Sequence, residues 1–261
     1  MPEHPALTVV GTGIRCGIDL TDEVRDVLTA ADDVFFIASD PVWRASMYAL
    51  RADAISLASL YGENVPRLET YAAIVERVLG PVRAGRRVCF AVPGHPAVFA
   101  QPTHEAIRRA RAEGFDAVML PALSAADHLY ADLGVDPGEA GSMSCDATDF
   151  LIFGRRADPT MALFLWQIDA IGELCEFARP NRHGLEVLAE VLLETLPASH
   201  EVVVYEAASY AITDPSIVRI RLAELASAPV SIFSTLYVPA AQTPSPVAER
   251  LARLGLTIAS S

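Results

Sequence analysis

The stretch Arg86-Arg-Val-Cys-Phe-Ala-Val-Pro-Gly-His-Pro-Ala-Val-Phe-Ala100 decides how the chain is read. Within it, Val88 to Val92 is a continuous apolar run, the pattern of a strand buried on both faces in a parallel sheet. Pro93-Gly94 must end that strand, because proline lacks the amide donor and glycine tolerates a positive φ. A second proline and the short apolar Ala97-Val-Phe-Ala100 follow. Then come Thr103 and an amphipathic charged run from His104 to Glu113, closed by Gly114 as a helix cap. Ligands of open parallel sheets sit beyond the carboxyl ends of the strands, so a small molecule is expected at the turn after Val92. An ordinary strand-to-helix connection would have the same local sequence, and this stretch alone does not separate the two.

Upstream, Leu7-Thr-Val-Val10 is a short strand, and Gly11-Thr-Gly13 opens a loop that runs to Asp19 before a helix from Leu20 to Ala31. Such a glycine pair lets a backbone come close to a ligand. It is not a dinucleotide fingerprint, since the third glycine would fall on Cys16 and Gly17 comes one residue late. No Gly-Lys-Ser/Thr follows, which excludes a Walker A loop. Val34 to Ile37 and Ala54 to Leu57 read as strands, with a helix from Val42 to Leu50 between them. After the loop Ala58 to Val65, Pro66 suits the first turn of a helix that runs to Leu79 and stops at Gly80-Pro81. Leu68, Ala72, Val75 and Leu79 form its expected core stripe, with Arg67, Tyr71 and Ile74 about a quarter-turn round. Arg67 and Tyr71 thus lie one turn apart on the same side, at the rim of the sheet. Ala117 to Leu120 completes a five-stranded βαβ-type unit.

Pro121 ends that unit. A new helix opens at Ser124, with Asp127 three residues on as a capping box, and closes at Leu133-Gly134. The expected division is an N-terminal α/β domain over 1–121, a C-terminal α/β domain over 122–240, and a tail over 241–261 with a helix from Val247 to Leu254. The second domain has candidate strands at Ala162 to Ile168, Glu201 to Glu206, Ile217 to Ile220 and Val230 to Val238, and a helix at Leu185 to Leu196. Its pattern is more mixed than that of the first.

Composition narrows the function classes. Hydrophobic residues are 52% and charged residues 20% of the 261, a globular balance. The net charge of −13 argues against nucleic acid, whose affinity for proteins comes mainly from Lys and Arg. Cys16, Cys89, Cys145 and Cys175 include no C-x-x-C pair, and the six histidines show no metal-binding spacing. There is no signal-peptide pattern at Met1-Pro-Glu-His-Pro-Ala and no apolar run of bilayer length, so a soluble, cytoplasmic protein is expected, not a membrane protein.

In order along the chain, Val9-Val-Gly-Thr-Gly13, Pro93-Gly-His-Pro96 and Leu123-Ser-Ala-Ala126 resemble the markers of the tetrapyrrole methylase superfamily, the class III S-adenosylmethionine methyltransferases. Within it, the chain looks most like the borosin peptide α-N-methyltransferases. That likeness extends through Ala112-Glu-Gly-Phe115, Ala131-Asp-Leu-Gly-Val-Asp-Pro137, Ala147-Thr-Asp-Phe150, Leu165-Trp-Gln-Ile168, Glu201-Val-Val-Val-Tyr-Glu-Ala207 and Ser234-Thr235. His95, where wider-family members commonly carry aspartate, favours the peptide branch. Pro93, Ala97 and Ala58 depart from residues usual in borosin enzymes, and no role is carried over to Ala58.

The resemblance implies two unlike α/β domains with the methyl donor in the cleft between them, and S-adenosylhomocysteine as product. Donor contacts would fall on Pro93, His95, Val98 and Phe99, and on Ser124, Ala125, Gln167, Tyr205, Ala207, Ser234 and Thr235. The family's Arg-x-x-x-Tyr helix falls on Arg67 and Tyr71, and Tyr61 matches a tyrosine of the preceding loop. The fused fungal enzymes carry their own substrate peptide, whereas this sequence stops at Ser261, so the precursor peptide is expected in trans. A homodimer is expected, with the precursor-bound heterotetramer as a larger assembly. Read from the residues alone, Arg67, Tyr61 and Tyr71 are also compatible with an arginine and two amphipathic tyrosines capping a core. His95 reads as a loop-ordering hydrogen-bonding group rather than a base. Two rival functions stay open: a tetrapyrrole, corrin or other small-molecule methylase of the same fold, and a non-catalytic module that binds the donor or a peptide.

Overall fold

Strand and helix alternate from Leu7 to Leu133. In order they are β1 (Leu7–Gly11), α1 (Asp22–Ala30), β2 (Asp33–Phe36), α2 (Pro41–Leu50), β3 (Ile55–Ser56), α3 (Arg67–Arg83), β4 (Val88–Val92), α4 (Gln101–Ala112), β5 (Ala117–Leu120) and α5 (Ala125–Leu133). The computed structural model describes residues 5–38, 40–62, 65–173 and 180–257. Cys175 lies outside them.

Side-chain oxygens set several of the helix starts. Thr21 accepts from Val24 N at 3.3 Å, and Asp40 from Val42 N and Trp43 N at 2.7 and 3.0 Å, each satisfying amides that a first turn leaves unpaired. Gly134, at φ 64°, closes α5 where expected.

The five strands form one sheet in the order β3-β2-β4-β1-β5, every pair parallel. β1 and β4 are buried at every position, as their unbroken apolar runs require. Successive residues point to opposite faces, so Val9 and Phe90 join one core with Ile74, Val75, Val78 and Val82 of α3, while Val10, Cys89 and Ala91 join a second with Val24, Leu28 and Met47. Because all strands run the same way, the loops after β1, β3, β4 and β5 gather at one carboxyl edge.

α3 corrects two expectations. It continues through Gly80-Pro81 to Arg83, and its buried face is Thr70, Ile74, Val75, Val78, Leu79 and Val82, leaving Leu68 65% exposed. Pro81 removes one main-chain donor, but burial of Val78, Leu79 and Val82 holds the helix together across it. Val82, in the turn beyond Leu79, extends the buried stripe and selects it over the one through Leu68. Arg67 and Tyr71 therefore lie on the line that leads to Ile74, Val78 and Val82, the face turned to the sheet.

The rest of the chain comprises β6 (Ser142–Asp146), α6 (Ala147–Ile152), β7 (Ala162–Trp166), α7 (Arg182–Leu193), β8 (Glu201–Glu206), β9 (Ser216–Arg221), a 3-10 turn at Leu222–Ser227, β10 (Thr235–Val238) and α8 (Ala248–Leu254). A mixed sheet has the order β6-β7-β10-β8-β9, with β6 and β7 parallel and β7 and β10 antiparallel. β6, Ser-Met-Ser-Cys-Asp, lacks β-branched residues and was not foreseen. The strand expected from Val230 begins only at Thr235, because the serines before it form a local turn: Ser231 N donates to Ser234 Oγ at 2.9 Å and Ser234 N to Ser231 O at 3.2 Å.

The chain divides into two compact units. The first holds Met1–Val135, Gly172–Pro180 and Tyr205–Ile217, and the second Asp136–Ile171, Asn181–Val204 and Val218–Ser261. This follows a different line from the linear boundaries after residues 121 and 240. α5 stays in the first unit, where His128 bonds Asp19 of the loop after β1. None of the helices among the described residues is long and apolar enough to cross a membrane.

Candidate active site

The carboxyl edge of the first sheet is built on a close crossing. A Cβ on Gly11 would stand 2.2 Å from Gly94 O and 2.7 Å from Pro96 Cδ, so only glycine lets the turn after β4 pass over the end of β1. Thr12 donates to Val92 O from both N and Oγ1, at 2.9 and 3.2 Å. Gly94 N then donates to Gly13 O at 2.7 Å and Gly13 N to Gly94 O at 3.4 Å. The Gly-Thr-Gly run, a pattern that lets a backbone come close to a ligand, here serves the close approach of two loops.

Residues 93–100 are held by bonds within the turn and by bonds from α4. His95 Nδ1 accepts from Ala97 N at 3.0 Å, the loop-ordering bond expected of it, which leaves Nε2 to carry the proton of the neutral ring. His104 Nε2 donates to Ala97 O at 2.9 Å, and buried Thr103 donates through Oγ1 to Pro96 O. Pro93, Val98 and Phe99 nevertheless leave apolar surface exposed, with Phe99 at φ 50°. That left-handed backbone costs a non-glycine residue about 1–3 kcal/mol and persists only where the surroundings impose it.

α5 presents Ser124 and Ala125 at its start. Ser124 N and Oγ both donate to Asp127, at 2.6 and 2.7 Å. Further along, Asp132 accepts from the hydroxyl of Tyr205 at 2.6 Å. Tyr205 stands near the end of β8 yet is 1% exposed, not an edge residue. Burial, then the hydrogen bond and charge of Asp132, push its phenol well above the ordinary range. Ala207 lies just beyond, and Ser209 O accepts from Cys16 N at 2.9 Å. Tyr210 donates to Asp40 at 2.7 Å; that bond first, with burial and the carboxylate's charge, pushes the Tyr210 phenol up to about 12.

Tyr61 follows the short 3-10 turn Ala58–Leu60 after β3, and Arg67 begins α3. Tyr61 and Tyr71 are half-buried against the core that holds Leu57 and Ile74. A helix joining β3 to parallel β4 must start at the carboxyl edge, so the first turns of α3 put Arg67 and Tyr71 there.

In the second unit, Gln167 follows β7 at φ 56°. Leu236 pairs with Leu165 antiparallel, so the start of β10 at Thr235, with Ser234 before it, lies at the end of β7 that Gln167 follows. All three expected residues of this unit thus meet at one end of one strand pair. Ser234 and Thr235 are 4% and 3% exposed. Phe99 and Gln167 are the two non-glycine residues with positive φ among the described residues, and both belong to the expected donor set.

Four polar residues that sequence reading did not single out organise these segments: Asp19, His128, Asp132 and Asp40. Asp19 and His128 are 109 positions apart and bonded at 2.7 Å, a pairing that no local pattern signals.

The family described as Tetrapyrrole (Corrin/Porphyrin) Methylases matches residues 6–226. A methyltransferase/ribosomally synthesized cyclic peptide gymnopeptides precursor of Gymnopus fusipes is 35% identical over 97% of this chain and 62% of its own length. A methyltransferase/ribosomally synthesized type I borosin cyclic peptide precursor of Coprinopsis marcescibilis is 36% identical over 91% of this chain and 63% of its own. The chain thus spans about three fifths of the length of these curated relatives. The crystal structure of a uroporphyrin-III-C-methyltransferase from Thermus thermophilus superposes with a TM-score of 0.65 at 20% identity, covering 90% of this chain and 92% of that one. The likeness to it shows the fold alone. With two unlike sheets in this order and a family match across both halves of the chain, this protein belongs to the tetrapyrrole (corrin/porphyrin) methylases.

Proposed function

We propose that the chain is an S-adenosylmethionine-dependent α-N-methyltransferase that methylates backbone amides of a ribosomal precursor peptide supplied on a separate chain, a borosin-type activity. The observation that carries the proposal is the place of Arg67 and Tyr71, one turn apart on the sheet-facing line of α3 at the carboxyl edge. The names of the curated relatives, methyltransferases joined to cyclic-peptide precursors, support the substrate class.

The residues fit the donor. Exposed Pro93, Val98 and Phe99 supply apolar surface beside a loop whose polar groups are already engaged, which suits an adenosyl group with apolar faces and a polar rim. In the first unit the proposed contacts are Pro93, His95, Val98, Phe99, Ser124, Ala125, Tyr205 and Ala207. In the second they are Gln167, Ser234 and Thr235. When bound, S-adenosylmethionine supplies an electrophilic methyl group and leaves as S-adenosylhomocysteine.

An amide nitrogen is a poor nucleophile because its lone pair is delocalised into the carbonyl. Arg67, a permanent cationic fork, stabilises the imidate-like charge on the amide oxygen as the proton leaves. Tyr71, reacting as its phenolate beside the Arg67 cation, takes that proton, directly or through water, and leaves the step as the neutral phenol, while Tyr61 completes the donor set around the oxygen. The nitrogen–methyl bond forms as the sulfur–methyl bond breaks, and holding the two in line supplies most of the rate.

A homodimer, with the precursor bound as a heterotetramer, and a cytoplasmic location complete the reading; they rest on the resemblance, and light scattering reads the assembly. Intact-mass analysis after incubation with S-adenosylmethionine and a separately added candidate peptide is the test. Mass gains of successive methyl groups that vanish in Arg67→Ala and Tyr71→Phe support the proposal. Methylation of a corrin or porphyrin but of no peptide overturns it in favour of a small-molecule methylase, and donor binding with no product overturns it in favour of a binding module.

A further inference from the structure

The carboxylate of Asp19 has no exposed side-chain surface, and four donors converge on it. They are the amides of Ile14 and Arg15 at 3.1 and 2.9 Å, Arg15 Nε at 3.0 Å and His128 Nε2 at 2.7 Å. Burial alone would raise its pKa, but the bonds from the Arg15 amide, His128 and the Arg15 side chain outweigh it and hold the group below the usual carboxylate value. Gly13 makes the room, since a Cβ there would stand 2.1 Å from Asp19 Cβ. A buried charge satisfied on every side serves to fix one geometry more than to add stability.

The loop closed by Asp19 reaches each first-unit segment of the proposed donor site. Gly13 exchanges main-chain hydrogen bonds with Gly94, between Pro93 and His95. Cys16 N donates to Ser209 O, two residues past Ala207. His128 sits on the helix that opens with Ser124 and Ala125. No residue from Thr12 to Ile18 is itself a proposed contact, so the loop acts by bracing the others.

We infer that Asp19 is a positioning residue: paired with His128, it locks the loop after β1 as the common brace for the 93–99 turn, the start of α5 and the 205–209 segment, and so sets affinity for the methyl donor. The inference rests on the donor-binding reading above.

The test uses the full chain with Asp19→Asn, His128→Leu and His128→Gln, read by calorimetric titration with S-adenosylhomocysteine and by hydrogen exchange. Asp19→Asn and His128→Leu weaken binding about tenfold, and His128→Gln, whose amide can still donate to Asp19, recovers most of it. Turnover at saturating donor changes less than about threefold, the split expected when binding rather than chemistry is disturbed. Exchange rises in Asp19→Asn at residues 94–98 and 207–211 as well as at 12–19. Wild-type affinity in both Asp19→Asn and His128→Leu, or faster exchange confined to 12–19, overturns the inference. Where Asp19→Asn does not fold, the His128 pair decides, and equal loss in Leu and Gln overturns it. If wild type does not bind the probe, the donor reading falls, while the exchange pattern still judges the brace.

Discussion

Gly11→Ala puts the crossing of β1 by the turn after β4 to a quantitative test. The added methyl would stand 2.2 Å from Gly94 O, 2.6 Å from Ala122 Cβ and 2.7 Å from Pro96 Cδ, and real Cβ atoms essentially never come within 3.0 Å. None of the three is the far end of a flexible side chain. The chain can absorb the methyl by local compression, which costs about 1–3 kcal/mol in a well-packed site. Alternatively it can lift the turn, giving up the Gly13–Gly94 pair and the two bonds from Thr12 to Val92 O, at about 1 kcal/mol each. Three contacts this short put compression at the upper end of its range, and lifting the turn gives up four bonds for about 4 kcal/mol, so the expected loss is about 2–4 kcal/mol. For a chain of this size each kcal/mol moves the melting temperature by about 2–4 °C, so Tm falls by about 5–15 °C.

Gly114→Ala is the control. Gly114 has φ 87° with nothing within 4 Å of a built Cβ, so it pays only the left-handed penalty of about 1 kcal/mol and loses about 2–4 °C. Circular-dichroism melts of the two variants and wild type read the difference. A Gly11→Ala melt within about 2 °C of wild type, or no lower than that of Gly114→Ala, would refute the reasoning from close approach.

Two further outcomes follow from the same geometry. Gln167→Gly relieves a φ of 56° and so raises Tm by about 2–4 °C, while affinity for S-adenosylhomocysteine falls; a variant that is both more stable and tighter-binding would show that the strain is not retained for the ligand. Asp19 also predicts an acid limb. Its folded pKa lies below the unfolded value of about 3.9, so its stabilisation is fully present above that pH and is lost as pH falls through the folded value. In urea unfolding, the stability gap between wild type and Asp19→Asn should narrow below about pH 4, and a gap constant from pH 6 to pH 3 would be inconsistent with a carboxylate depressed in the fold.

The first half of the fold was legible because its signals are local. β1 and β4 are unbroken apolar runs between turn residues, and α5 has both a capping box at Ser124–Asp127 and a left-handed glycine after Leu133. Where the reading failed, two local rules competed. Gly80-Pro81 is a sound stop signal, but burial of Val82 outweighs a missing donor. The 3.6-residue pattern of α3 offered two stripes a quarter-turn apart, and choosing between them needed that last turn. β6 escaped because a strand of two serines, a methionine, a cysteine and an aspartate is specified by its neighbour β7 and not by its own propensity. Of the candidate site, the turn residues and the Arg67–Tyr71 spacing were readable. The pairs Asp19–His128, Asp132–Tyr205 and Asp40–Tyr210 were not, because each joins residues 73 to 170 positions apart.

Those pairs explain why a glycine-rich strand end and a few side chains do not make the site by themselves. The hydroxyl protons of Ser124 and Tyr205 are committed to Asp127 and Asp132, and Ser234 Oγ accepts from the amide of its own turn. Each therefore orders the segment it stands on before anything is bound. What is left exposed in the first unit is largely apolar, at Pro93, Val98 and Phe99, with a strained backbone at Phe99. A methyl transfer to a poorly nucleophilic amide depends on positioning more than on acid–base strength, and a site whose polar groups are already tied to one another loses little conformational freedom when its ligands arrive. On this argument Asp19, Asp127 and Asp132 order the segments that carry the residues proposed to touch the donor, so removing any one of them frees a segment and not merely a side chain.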